Sequence, residues 1–272
     1  MKNSTHLGKD ALTRVGDLGA ITLDFLAFNG RFLLFSLKAY RRVLTPPWRW
    51  KLFIEQAMDI GVKSFPIAAL TSIFVGMVMV LQTGAQLVKF GSKNYIPGIS
   101  FIANAREMVP VLIGIVVGAR VAASITAELG TMRVTEQIDA MDILNVDPMR
   151  YLAVPRLIAM TLMLPLISGV CLVTGFFGGM IVGAAGLNID PLAYYTTTLQ
   201  FAYLSDIFGG LIKTIFFGMI IALTGCYYGF NTTGGAAGVG RATTSSVVVT
   251  LILILITDYI LTTLLLFLLG MD

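Results

Sequence analysis

The chain alternates long apolar runs with short polar breaks. Residues 64–88, 157–189, 214–240, 242–257 and 259–271 contain no Asp, Glu, Lys or Arg. Several exceed the roughly 20 apolar residues that carry a helix across about 30 Å of hydrocarbon. The pattern predicts five spans, at 60–88, 97–127, 151–186, 205–229 and 243–269. The third is longer than one straight crossing requires, so it is expected to tilt or to lie partly at the interface. Pro66, Pro110 and Pro165 fall inside spans, where neighbouring helices re-satisfy the backbone groups that a proline frees.

Composition agrees with the pattern. Of 272 residues, 56% are hydrophobic and 12% are charged, against about 25% charged in soluble domains. The fold class expected is an all-α integral membrane protein. Residues 1–55 read as a cytoplasmic tail and interfacial helix, and 56–272 as the transmembrane domain, with a polar segment at 128–147.

Basic residues set an orientation. The segment through Lys63 carries ten Lys or Arg, and Arg133 and Arg150 follow span two, with Arg120 and Arg156 at its edges. Lys89 and Lys93 follow span one, 187–204 has no basic residue, and Arg241 alone follows span four. An excess of basic residues marks the cytoplasmic side, which puts the N-terminus and 128–150 inside and the C-terminus outside. The net charge of +4 then reflects topology and contact with anionic lipid, and it gives no reason to expect nucleic acid.

Residues 1–17 are polar and no apolar core with a cleavage site follows them, so the N-terminus does not read as a signal peptide. Over 21–43, Leu23, Phe25, Leu26, Phe28, Phe32, Leu33, Phe35 and Leu37 alternate with Asp24, Arg31, Lys38, Arg41 and Arg42. Such a helix lies in the membrane interface with its cations toward the headgroups. Trp48 and Trp50 suit the same depth.

Several chemistries are unsupported. The single histidine, His6, has no Cys or His neighbours, so no metal site is expected. Cys171 and Cys226 fall in spans and read as packing residues. No phosphate-binding loop of the G-x-x-x-x-G-K-[ST] type occurs. No catalytic residue is expected, and any ATP and Mg must be bound by another polypeptide.

Charges inside the spans are the sharper signal. Arg106 and Glu107 lie in span two, Lys213 in span four and Asp258 in span five. A charge at the bilayer centre costs at least about 2.5–3.5 kcal/mol, so these residues must pair or face a polar cavity. Their formal charges sum to zero, which suits mutual pairing. Two readings stay open: a network that fixes helix packing, or a cavity that handles a charged or zwitterionic headgroup. Arg106 and Glu107 are adjacent, so they cannot share one helix face.

Gly114-x-x-x-Gly118 and Gly175-x-x-x-Gly179 permit close helix crossings, compatible with a homodimer interface. Between spans two and three, Ala127 to Met141 is rich in helix formers, with Glu136 and Gln137 exposed. Met132, Val134, Ile138 and Met141 form an apolar set, and Asp147-Pro148 redirects the chain. An ordinary solvated connection and a docking helix both fit these residues.

The motifs carry a resemblance. Arg106-Glu107-Met108, with Pro110, is followed by Gly118-Ala119-Arg120, and then by Ser124, Thr126, Ala127, Glu128, Gly130, Met132, Arg133, Thr135, Glu136, Gln137, Ala140 and Met141. Asp147-Pro148, Arg150, Pro155-Arg156, Gly240-Arg241 and Asp258-Tyr259 complete the set. Together they resemble the MlaE (YrbE-type) permease family of lipid ABC transporters, from about residue 60 to the C-terminus. Val109 stands where that family more usually has glycine.

The resemblance implies a homodimeric permease subunit in a bacterial inner membrane. It would move phospholipid between that membrane and a periplasmic MCE-domain partner. Glu128, Gly130, Met132, Arg133, Thr135, Glu136, Gln137 and Met141 would form a coupling helix seated on a cytoplasmic ATPase subunit. Arg106, Glu107, Lys213 and Arg241 would lie near the lipid path, with Asp258 in the same charge network. Val75, Met79 and Leu81 of span one would touch acyl chains at the dimer interface. An ion-coupled secondary carrier in which Glu107 or Asp258 takes up a proton, and a scaffold subunit, remain as other classes.

Overall fold

The computed structural model describes residues 23, 26, 27, 29–46 and 50–269. The polar tail with His6, the residues Asp24, Phe25 and Phe28 of the expected amphipathic helix, and Trp48 lie outside them. The chain divides after Pro46 into two compact units. In the first, helix α1 covers 29–43. Leu33, Leu34 and Leu37 are more than half exposed on it. Exposed leucines beside Arg31, Lys38, Arg41 and Arg42 give α1 the amphipathic character of an interfacial helix.

The second unit holds five helical runs long and apolar enough to cross a membrane: Trp50–Phe90, Lys93–Val134, Met149–Leu187, Leu204–Phe230 and Gly235–Phe267. Each predicted span falls on one of them. No strand occurs among the described residues. The expected boundary at residue 55 falls inside the first run, because Lys51, Glu55 and Asp59 continue its helix beyond the apolar stretch.

Helix α2 (Trp50–Leu87) packs lengthwise on α6 (Val154–Leu187). Ser64, Ala68, Ser72, Gly76, Val80 and Gly84 are all buried; a four-residue repeat of mostly small side chains lines one helical face and lets two backbones approach. A Cβ at Gly76 would stand 1.9 Å from the Gly175 carbonyl oxygen, and one at Gly178 would stand 2.3 Å from that of Ile73. Gly175 and Gly179 are therefore used within the chain, as are Gly114 and Gly118 against Phe217 and Ile221. Gly76→Val is expected to lower stability by at least ~2 kcal/mol through overpacking. A fall in the detergent unfolding temperature checks it; an unchanged temperature would refute the close crossing.

Two wide π-helical turns interrupt the spans. Asn104–Met108 joins α3 (Ile96–Ala103) to α4 (Val109–Val134), and Met149–Ala153 leads into α6. Each is followed by a proline at the second helical residue, Pro110 or Pro155. A proline lacks the N–H for the residue four back and clashes with that carbonyl; a wider turn relieves both. Val109 N–H donates to Asn104 O and Val154 N–H to Met149 O, each five residues back. Pro66 and Pro165 sit inside uninterrupted helices.

Residues 191–201, expected as part of a loop, instead form α7 (Pro191–Phe201). Asp190 caps it, accepting from Ala193 N–H at 3.0 Å, and Pro191 opens its first turn. That pairing of cap and proline is a strong start signal. In the core, α4 packs on both α8 (Leu204–Phe230) and α9 (Gly235–Leu269), and α6 packs on α8.

Candidate functional site

The π turn before Pro110 positions the charged site. Pro110 has no N–H to offer the Arg106 carbonyl, and that oxygen instead accepts from Lys213 Nζ at 3.0 Å. Helix α8 comes this close because Gly210 faces the turn: a Cβ there would lie 2.1 Å from the Ala105 carbonyl oxygen. The sequence thus uses one proline and one glycine to lead a lysine into the middle of the bundle.

Lys213 is the hub. Its Nζ donates to Glu107 Oε1 at 2.7 Å and to Thr262 Oγ1 at 2.6 Å, and it stands 3.2 Å from Asp258 Oδ1. Thr262 Oγ1 also reaches Glu107 Oε1 at 3.1 Å. Arg106 turns the other way and donates through Nε to Asp206 Oδ1 at 2.8 Å. As expected for neighbours on a helix, Arg106 and Glu107 serve different partners. The Lys213 side chain is 3% exposed and that of Asp206 2%. A cavity of about 250 Å³ opens beside them, lined by Arg106, Glu107, Asp206, Lys213 and Thr262, with Leu265 and Leu266 at its apolar side.

Arg241 does not join this group. It is exposed near the start of α9, 17 residues and so roughly 25 Å along the helix from Asp258. Val75 and Met79 are half-buried on α2 and Leu81 is exposed; none of the three lines the cavity.

The polar segment is not one helix. Glu128 to Val134 completes α4, Glu136 adopts a left-handed φ of 60°, and α5 (Gln137–Ile143) starts afresh. An ion pair between Arg133 and Asp139 spans the break, and Gln137 Nε2 donates to Thr135 Oγ1 at 3.0 Å. The expected continuous helix over 128–141 is corrected to two pieces, because Thr135 and Glu136 leave helical geometry. Two of its residues are engaged inside the chain: Glu128 pairs with the buried Arg156 at 2.5 Å, and a Cβ at Gly130 would meet Thr232 Oγ1 at 2.9 Å. Thr135, Glu136 and Gln137 are exposed, while Met132, Arg133 and Met141 are half-buried. Ile143 and Leu144 are 85% and 74% exposed at the end of α5.

The profile of the Permease MlaE family matches residues 53–264. The chain belongs to the MlaE permease family. A probable ABC transporter permease protein of Rickettsia typhi is 42% identical to this MlaE permease over 248 residues, covering 91% of this chain and 96% of the relative. One from Synechocystis is 42% identical over 190 residues, covering 70% and 72%. The chloroplastic protein TRIGALACTOSYLDIACYLGLYCEROL 1 of Arabidopsis thaliana is 36% identical over 222 residues, covering 82% of this chain and 63% of its own length. This MlaE permease is a multi-pass membrane protein of the ABC transporter permease class, a transport subunit.

Sequence reasoning missed Asp206, Thr262, Ile143 and Leu144 in this MlaE permease. Asp206 stands seven residues before Lys213 and Thr262 four after Asp258, spacings that share a helix face. Those offsets were the available signal.

Proposed function

We propose that this MlaE permease is the membrane subunit of an ATP-driven phospholipid transporter. Two copies would sit in a bacterial inner membrane with the N-terminus cytoplasmic and the C-terminus periplasmic. They would exchange lipid with a periplasmic MCE-domain protein, while a cytoplasmic ATPase subunit binds ATP and Mg. The cavity beside Lys213 supports this reading: Arg106, Glu107, Asp206 and Lys213 stand around it together with Leu265 and Leu266, the mixture of charged and apolar groups that an amphipathic headgroup and its glycerol end require. The name of the Arabidopsis relative contains a glycerolipid, trigalactosyldiacylglycerol, which supports lipid as the cargo. The excess of basic residues in the N-terminal segment and around 128–156 supports the orientation.

Helix α4 supplies a mechanical link. It begins at the charged turn and ends at α5, 26 residues or about 40 Å away. Glu128 ties its lower end to α6 through Arg156. A rigid element in contact with both sites can carry a displacement from one to the other, so an ATPase moving α5 would act on the cluster.

Native mass spectrometry of the gently extracted assembly tests the reading. Two permease copies with two ATPase copies and retained phospholipid are expected; a chain with neither nucleotide-binding partner nor lipid would refute it. Glu107→Ala is expected to impair lipid transfer while leaving that assembly intact, and loss of assembly would instead assign the cluster to packing.

A further inference from the structure

A second polar cleft opens between α2 and α4. It is a cavity of about 300 Å³ lined by Gln56, Asp59, Arg120, Ser124 and Glu128, with apolar side chains between them. Arg120 lies 13 residues, and so roughly 20 Å along the helix, from Glu107. It also stands seven residues before the expected end of its span, roughly 10 Å inside the hydrocarbon. Its Nη1 donates to Ser64 Oγ at 2.6 Å. Among the described residues that hydroxyl is its one acceptor, and no carboxylate comes within ion-pair distance. The remaining nitrogens are not sealed in: none of them is buried without a partner, and the residue is half-buried on the cavity wall.

The two carboxylates on the same wall are taken. Asp59 pairs with Lys63, and Glu128 with Arg156. With those partners counted, three cations stand against two carboxylates, and the charge left over is that of Arg120. A cation at this depth is costly unless an anion or water meets it, and a serine hydroxyl brings no charge. Resting on the lipid-transporter reading and its orientation, we infer that Arg120 holds the phosphate oxyanion of a phospholipid drawn in from the cytoplasmic leaflet. The guanidinium fork matches two phosphate oxygens at once. A phosphodiester brings one negative charge, the amount the cleft lacks. Inorganic phosphate offers the same oxygens but more charge, and no acyl chains to stay in hydrocarbon. The cleft and the Lys213 cavity are then two stations on one path, one toward each leaflet.

The Arg120–Ser64 hydrogen bond also joins α4 to α2, so the test must separate holding a lipid from holding two helices. The purified full chain in liposomes is given phosphatidylethanolamine with a diazirine beside the glycerol, and photolabelled residues are mapped by peptide mass spectrometry. Diacylglycerol with the same diazirine is the probe without phosphate. The phospholipid is expected to label 120–128 roughly tenfold more than diacylglycerol does, the equivalent of one charge-assisted hydrogen bond. Arg120→Gln is expected to remove that excess while label at 262–266, beside the Lys213 cavity, stays. Arg120→Lys and Ser64→Ala are both expected to keep most of it. Equal labelling of 120–128 by the two probes would overturn the site, and that comparison needs no variant. Loss in Ser64→Ala as deep as in Arg120→Gln would overturn it too, by reducing Arg120 to a tie between helices. Excess inorganic phosphate is expected to leave the label in place; clearing it would assign the cleft to a free oxyanion and overturn the lipid. Label at neither 120–128 nor 262–266 would refute the lipid reading beneath it.

Discussion

Replacing Lys213 with Met is expected to abolish lipid transfer and to destabilise the fold by about 3–5 kcal/mol, the typical loss when one partner of a buried ion pair is removed. Native stabilities are only about 5–15 kcal/mol, so much of the reserve goes with one side chain. The reason lies in what the lysine holds. Its Nζ contacts Glu107, Thr262 and the Arg106 carbonyl and stands beside Asp258. Methionine would leave the Glu107 and Asp258 carboxylates without their shared cation and remove the Lys213 donor from the Arg106 carbonyl. Adding Glu107→Gln and Asp258→Asn removes the stranded charges and is expected to restore most of the unfolding temperature without restoring transfer. Thermal unfolding in detergent and lipid transfer in liposomes, measured on the same samples, separate the two roles. A triple variant that recovers both would reduce the cluster to a packing device, and a single variant that keeps both would remove it from the path.

The cluster also marks where sequence reading stops. Apolar runs identify the spans because hydrophobic matching to a bilayer depends on composition over about 20 residues, a property of one segment by itself. Charges at Arg106, Glu107, Lys213 and Asp258 stand out for the same reason. Their pairing does not follow from any one segment. Asp206 sits within two residues of the start of its helix, where an acidic residue reads as an ordinary first-turn group. Only the approach of α8 to the π turn, set by Gly210, makes it the partner of Arg106.

Local signals were more informative than global ones at other points. Pro110 and Pro155 each follow a π turn that accommodates the proline's missing N–H, whereas Pro66 and Pro165 are accommodated without one. Asp190-Pro191 carries the start of α7. The break at Glu136 had no such signal: Thr135-Glu136-Gln137 contains neither glycine nor proline, and its left-handed residue is held by packing of Ile138, which is 4% exposed, and by the Arg133–Asp139 pair. A tertiary arrangement overrides local propensity there.

The break at Glu136 leaves α5 as a short helix braced at two points and closed by its own first-turn hydrogen bond. Ile138 is buried, Arg133 pairs with Asp139, and Ala140 N–H donates to the Glu136 carbonyl at 2.9 Å. The helix ends on Ile143 and Leu144, both largely exposed, and Asn145 then turns the chain at a φ of 58°. An apolar pair on a rigid, braced tip is the kind of anchor that fills a partner's pocket, and anchors of this type are worth about 2 kcal/mol or more each. Ile143→Asp combined with Leu144→Asp is therefore expected to weaken capture of the ATPase subunit at least about 100-fold. The fold itself should hardly change, since substitutions at exposed positions usually shift stability by within about 0.5 kcal/mol. Binding of the labelled ATPase subunit to the permease in nanodiscs, alongside the unfolding temperature, measures both. Undiminished binding by the double variant would move the docking surface away from this tip, to the exposed Thr135-Glu136-Gln137 corner.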